Sequence, residues 1–196
     1  MHLKNLIALF LLFSGTFLFA QDAKQEIASE FTAYQDAIAS GEFETAMEYV
    51  TPDFFNIYPK KEIITLMEQT FNNPDITFEI KDMKIENIED AQEIDGKHYV
   101  LLSYSNLMNM KFAPTEGESE ENKKSRIGMT RISLEQTFGS NNVSYDPSTD
   151  FFGVRASKSV YAISENGKTN WKFLVVEKGQ EETLRRLLPH QLVNKM

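Results

Sequence analysis

The spacing of apolar residues changes from three-and-four before residue 72 to two from residue 76 to residue 176, and that change dictates the order of the main elements. Ile27, Phe31, Tyr34 and Ile38 fall at spacings of four, three and four. On a helix they form one stripe, which predicts an amphipathic helix over residues 22–40. Ser40-Gly41 ends it. Phe43, Ala46, Met47 and Val50 repeat the pattern in a shorter helix, which closes at Thr51-Pro52 because a residue before proline disfavours helical geometry. A third helix is predicted from Pro59 to Phe71, with Ile63, Leu66, Met67 and Phe71 inward. Proline suits a first helical turn, and Asn72-Asn73-Pro74 marks the exit.

Ile76, Phe78 and Ile80 then alternate with polar neighbours, and Met83 and Ile85 alternate in the opposite register, so a bulge is expected near Lys81-Asp82. Asp95-Gly96 is a tight hairpin turn into a long strand over Lys97–Phe112. Further strands are expected at Ile127–Phe138, Phe151–Ser164 and Asn170–Val176, separated by Gly-Ser-Asn-Asn and Glu-Asn-Gly turns. A last helical segment, Gln180–Leu188, breaks at Pro189 and resumes toward Met196. Helices followed by a meander of strands make an α+β layout with an antiparallel sheet.

The extreme N-terminus carries an address. Lys4 precedes an almost wholly apolar run, Leu6–Phe19, and Ala20 precedes the polar Gln21-Asp22, the layout of a secretory signal peptide over residues 1–20. The run is short for a membrane span, which takes about 20 apolar residues. The expected location is therefore outside the cytoplasm, periplasmic or secreted. The chain has no cysteine, so it has neither disulfides nor thiolate chemistry. Removing residues 1–20 leaves 176 of the 196, enough for one domain that buries about 70% of the surface its unfolded chain exposes. Of the 20 basic and 29 acidic side chains only Lys4 lies in the leader, so the net charge moves from −9 to −10. That field repels nucleic acid and anionic lipid, and neither is expected as a partner.

Three short runs, Glu30-Phe31-Thr32-Ala33-Tyr34, Ala37-Ile38-Ala39-Ser40-Gly41-Glu42-Phe43 and Tyr49-Val50-Thr51-Pro52-Asp53-Phe54, resemble the opening of the nuclear transport factor 2-like superfamily. In its members two helices joined by a small-Gly-acid-aromatic joint precede a strongly curved antiparallel sheet. The resemblance covers the chain after residue 20 in element order and implies a cone with a cavity between helices and sheet, often dimeric. It implies little about chemistry, because the fold hosts isomerases, dehydratases, cyclases and binding modules. The segment 113–125 is longer than a compact hairpin needs and is read as an inserted flexible loop.

Enzymes of that superfamily use a carboxylate base or a His–Asp pair deep in the cone. After the leader the chain carries His98, two residues past the Asp95-Gly96 turn, and His190, after Pro189. Each is better accounted for as a satisfied or solvated histidine than as part of a buried dyad. Asp53 follows a helix end, where aspartate serves turns and caps. Strand parity gives a sharper signal. Lys158 falls among Phe152, Val154, Ala156, Val160 and Ala162; Tyr104 and Asn106 fall among Val100, Leu102, Met108 and Met110; Gln136 falls among Ile132, Leu134 and Phe138. Polar groups at core parity must pair or face a wet cavity. The candidate pocket is therefore Tyr34, Tyr104, Asn106, Gln136 and Lys158, with a bulge that returns Lys158 to water as the competing account.

Asp146-Pro147-Ser148-Thr149-Asp150 spaces its oxygens like the start of a calcium loop but lacks a closing glutamate, and reads as a polar turn. Asn142-Val143-Ser144 is a glycosylation triplet, meaningful only in a host that uses such sites. No catalytic residue, metal site or cofactor is called for. The function read from the sequence is an exported binding or accessory module, for a small apolar or carboxylate-bearing molecule or for a protein. The alternatives are a lyase or isomerase using a carboxylate and a tyrosine in the cone, and a structural homodimer.

Overall fold

The computed structural model describes residues 3–177 and 179–194, and of residues 3–20 the backbone alone. Helix α1 runs unbroken over Leu3–Ala39, so the amphipathic stretch expected from residue 22 continues a helix that begins at Leu3. It stops at Gly41, whose φ of 75° lies in the left-handed region that glycine enters without penalty. Helix α2 (Phe43–Met47) is brief, and a 3-10 turn over Pro52–Asn56 leads to α3 (Lys60–Phe71), with Pro59 at its N-cap.

Six strands follow: β1 (Ile76–Ile88), β2 (Gln92–Ile94), β3 (Lys97–Phe112), β4 (Val143–Asp146), β5 (Phe151–Ser164) and β6 (Lys172–Val176). Every ladder between them is antiparallel. The backbone order is β1-β3-β5-β4, with β2 pairing β3 and β6 pairing β5. Asp95 and Gly96 take φ values of 52° and 79°, as a turn with two left-handed residues requires. The expected bulge lies between Lys81 and Lys84, with Asp82 at φ 50°, and a second irregularity follows between Ile85 and Asn87.

The molecule is α+β, with its N-terminal helices on one sheet face and two short C-terminal helices, α5 (Glu181–Leu187) and α6 (His190–Val193), on the other. Pro189 separates this pair as expected, whereas the predicted continuation to Met196 ends outside the described residues. Because side chains alternate along a strand, even-numbered positions of β3 and β5 meet the N-terminal helices and odd-numbered positions meet the C-terminal pair. Val100, Leu102, Tyr104, Val160 and Ala162 form one core with Ile27, Phe31, Tyr34, Met47, Trp171 and Phe173. Tyr99, Tyr161 and Leu174 form another with Leu184, Leu188, Leu192 and Val193. Phe31 packs edge-on against Tyr104 and Phe173 at centroid distances of 4.9 and 5.1 Å, so the α1 stripe is buried where its spacing requires.

The segment expected to be a strand at Ile127–Phe138 is instead helical: α4 spans Glu120–Phe138. Ser119 caps it by accepting the Asn122 N–H at 3.2 Å, and Glu120 and Glu121 place negative charge in its first turn. Gly139 (φ 87°) ends it, and the Asn142 amide donates to the Phe138 carbonyl at 2.8 Å. The helix therefore absorbs the second half of the segment read as a loop at 113–125. That loop is not a loose insertion at its other end either. Arg126 donates twice to the Glu118 carboxylate, each bond 2.8 Å, and once to the Phe112 carbonyl at 3.3 Å. Lys123 pairs with Asp150, which also accepts the Tyr145 hydroxyl at 2.7 Å. Strand β4, not expected from the sequence, pairs Val143–Asp146 with Phe151–Val154 beneath this helix. Asp146 accepts bonds from Ser148 and Thr149, the work of a turn aspartate.

Candidate functional site

Four of the five residues expected to line a pocket come from elements on the even-numbered face of the sheet. The β3–β5 ladder sets Tyr104 opposite Lys158 and Asn106 opposite Ala156, and Tyr34 descends from α1 onto the same aromatic cluster. Gln136 does not join them. It is exposed on α4, because the segment that carries it has helical and not strand periodicity. Tyr34 stacks on Phe173 at 5.7 Å and lies 5.9 Å from Phe31 and 6.3 Å from Tyr49, so its ring is core as much as lining.

Burial pushes the Tyr34 hydroxyl up to about 12 and raises that of Tyr104 further, with the charges of Tyr34 and Glu177 adding to the latter. Both phenols therefore stay protonated at neutral pH. Lys158 does not lie unpaired in the interior. Its ammonium is bound to the Glu177 carboxylate, with side-chain exposures of 34% and 40%. Glu177 was missed in the sequence, because its place is set by strand register. The β5–β6 ladder pairs Ser159 with Val176, and one further step places residue 177 across from 158.

Asn106 is the unusual member. It is 6% exposed and its carboxamide oxygen, Oδ1, is buried without a hydrogen-bond partner. A buried acceptor left unmatched costs roughly 1–3 kcal/mol, so such groups call for an explanation. The β3–β5 ladder runs unbroken through this residue, but the sheet is irregular next to it on the β1 side and one strand further out beyond β5. Toward β1, Leu107 pairs with Lys81 and Ser105 with Lys84, which leaves the bulged Asp82-Met83 facing Asn106. Toward the far edge, β4 releases β5 after Val154 and β6 takes it up only at Ser159, so Arg155–Lys158 have no strand on their outer side. Bulges and broken edges re-aim side chains and collect beside functional sites. Met108 and Met110 continue the same face, half-buried opposite Ile80 and Phe78.

Other titratable groups serve the scaffold. Glu30, raised above the usual carboxylate range chiefly by burial, accepts the Asn170 N–H at 2.9 Å and so holds the approach to β6. His98 packs against the Gly167 turn, where an added Cβ would meet its ring at 2.7 Å. His190 is exposed at the start of α6, and Asp53 sits exposed in the 3-10 turn after Pro52. A cavity of about 470 Å³ opens where α2 meets α3, lined by Glu44, Lys60, Lys61, Ile64, Thr65 and Glu68. It shares no residue with the Asn106 cluster.

Set against known proteins, the chain matches no family model, no curated protein and no solved structure. The geometry of this cluster must therefore carry the functional reading. No helix among the described residues is long and apolar enough to cross a membrane.

Proposed function

We propose that this protein is an exported binding module that holds a small ligand at the Asn106 cluster without transforming it. The observation that carries the reading is the buried, unpartnered Asn106 oxygen, with the sheet irregular next to it on the β1 side and one strand further out beyond β5. A binding site needs a polar anchor on an apolar floor, and Asn106 beside Tyr104, Ala156 and Met108 supplies both. Turnover would need a titratable group poised near neutral pH. Here the cluster holds two phenols raised by burial and an ammonium already held by a carboxylate, while Asp82, opposite Asn106 on β1, is exposed to solvent. Export rests on the apolar Leu6–Phe19 run and the resemblance to the nuclear transport factor 2-like superfamily on the α1–α2 joint.

The second reading, a lyase or isomerase, is favoured by one electrostatic coupling: the Glu177 charge adds to the burial that raises the Tyr104 hydroxyl. A fragment screen by ligand-observed NMR on the purified protein separates the two. Under the binding reading, hits compete for one site, lose contact in Asn106→Leu, and persist unchanged on long incubation. Consumption of a hit that stops in Glu177→Gln would establish the enzyme reading. Absence of any hit sensitive to Asn106 would leave the protein as an interaction partner.

A further inference from the structure

The composition of the cluster narrows the ligand further, granted the binding reading above. We infer that the Asn106 site takes a neutral molecule with an N–H or O–H donor on a short apolar body, and rejects carboxylates. The unmatched group is a carbonyl-type oxygen, which can only accept, so its complement is a donor. The lysine that would attract an anion is committed to Glu177. A carboxylate entering there would have to break that pair and leave a second carboxylate beside itself, in a chain whose net charge is already −9.

The walls agree with a small body. Across from Asn106 stands Ala156, whose side chain is a single methyl, and two residues along β3 stands Met108, a flexible apolar surface that adapts to what it meets. Opposite Asn106 on β1 the bulge sets the exposed Asp82 and the half-buried Met83, a second adaptable apolar side chain that packs against the core on this face. Lys158 and Glu177, each about a third or more exposed, stand at the solvent side of the cluster. They act as a closed ion pair at the entrance, and Asn106 provides the polar contact inside.

The test uses two probes of equal carbon chain, butyramide and butyrate, titrated into the purified ¹⁵N-labelled protein in the millimolar range that so few atoms permit. Butyramide should shift the Asn106, Ala156 and Lys158 signals saturably, butyrate should leave them in place, and Asn106→Leu should weaken butyramide about tenfold, the worth of one hydrogen bond. Butyrate binding as well as butyramide, or better, would overturn the inference while leaving the binding reading intact. If neither probe moves these signals, both fall. In that case Asn106→Leu, measured by thermal unfolding, should stabilise the protein as the removal of an unmatched core polar group.

Discussion

The even-numbered face of the sheet is covered twice, by α1–α3 at one end and by α4 at the other, and the two covers are held by different forces. Under α1–α3 both sides are apolar: Ile27, Phe31, Ala46 and Trp171 are fully buried against Leu102, Val160 and Ala162. Under α4 only the sheet side is. Phe152 and Val154 are buried, but not one residue of the nineteen in α4 is, and Met129 and Ile132 stand 65% and 57% exposed on its surface. What fastens α4 is polar: the Ser119 cap, the Glu118–Arg126 pair, Lys123 with Asp150, and Arg131 over the Tyr145 ring at 6.0 Å. Burial of apolar area persists across salt and pH, whereas partly exposed ion pairs contribute little each and depend on both. The polar cluster at Asn106 lies on β3 and β5 between the stretches that the two covers occupy.

The sharpest way to break the comparison is truncation on each side. Phe31→Ala should lower unfolding stability by roughly 3–5 kcal/mol, the cost of a large cavity in a rigid core, as read from denaturant curves. A loss below about 1 kcal/mol would show that α1 contributes no more than α4. Leu134→Ala, on the half-buried face of α4, should cost only about 1 kcal/mol.

Acid should separate the covers next. Arg126 holds the Glu118 carboxyl below the usual range, and the Tyr145 hydroxyl and Lys123 do the same for Asp150. A depressed folded value means that the stabilisation is complete above the unfolded carboxylate range, about 4, and is lost as pH falls through the folded value. Hydrogen exchange followed downward from pH 5 should therefore show α4 amides opening before those of α1. Simultaneous loss would mean one cooperative unit.

Ser119→Ala removes the cap and should cost about 1 kcal/mol, confined to α4 in the exchange profile. The smallest effect is expected at Lys158→Met, which breaks a pair that is one-third exposed: a stability change within about 1 kcal/mol, and increased affinity for an anionic probe excluded.

The uneven force also explains what could be read in advance. Strands β3 and β5 were legible to their ends because sixteen and fourteen residues alternate without a competing period. In α4 two periods coexist. Thr130, Ile132 and Leu134 alternate like a strand, while Lys123, Ile127, Thr130, Leu134 and Phe138 keep helical spacing. The cap at Ser119 and the stop at Gly139 decide for the helix, and Gln136 leaves the pocket with that decision. Glu177 was hidden for another reason: its place opposite Lys158 follows from hairpin register, which a strand boundary uncertain by one residue does not supply. Asn106 and Tyr104 were legible because polar residues at core parity stand out against their apolar neighbours.

Strand β1 ends the sheet with thirteen residues, a length that would offer a long row of backbone donors and acceptors to any passing chain. Its two irregularities, the left-handed Asp82, and the internal pairs Lys81–Glu79 and Lys84–Glu86 give that border a crooked backbone and a charged fringe. A second molecule laid alongside would meet mismatched hydrogen-bonding groups and like charges within a few residues. The irregularity that breaks the β1 ladder opposite Asn106 thus also makes this border a poor template for strand-by-strand self-association.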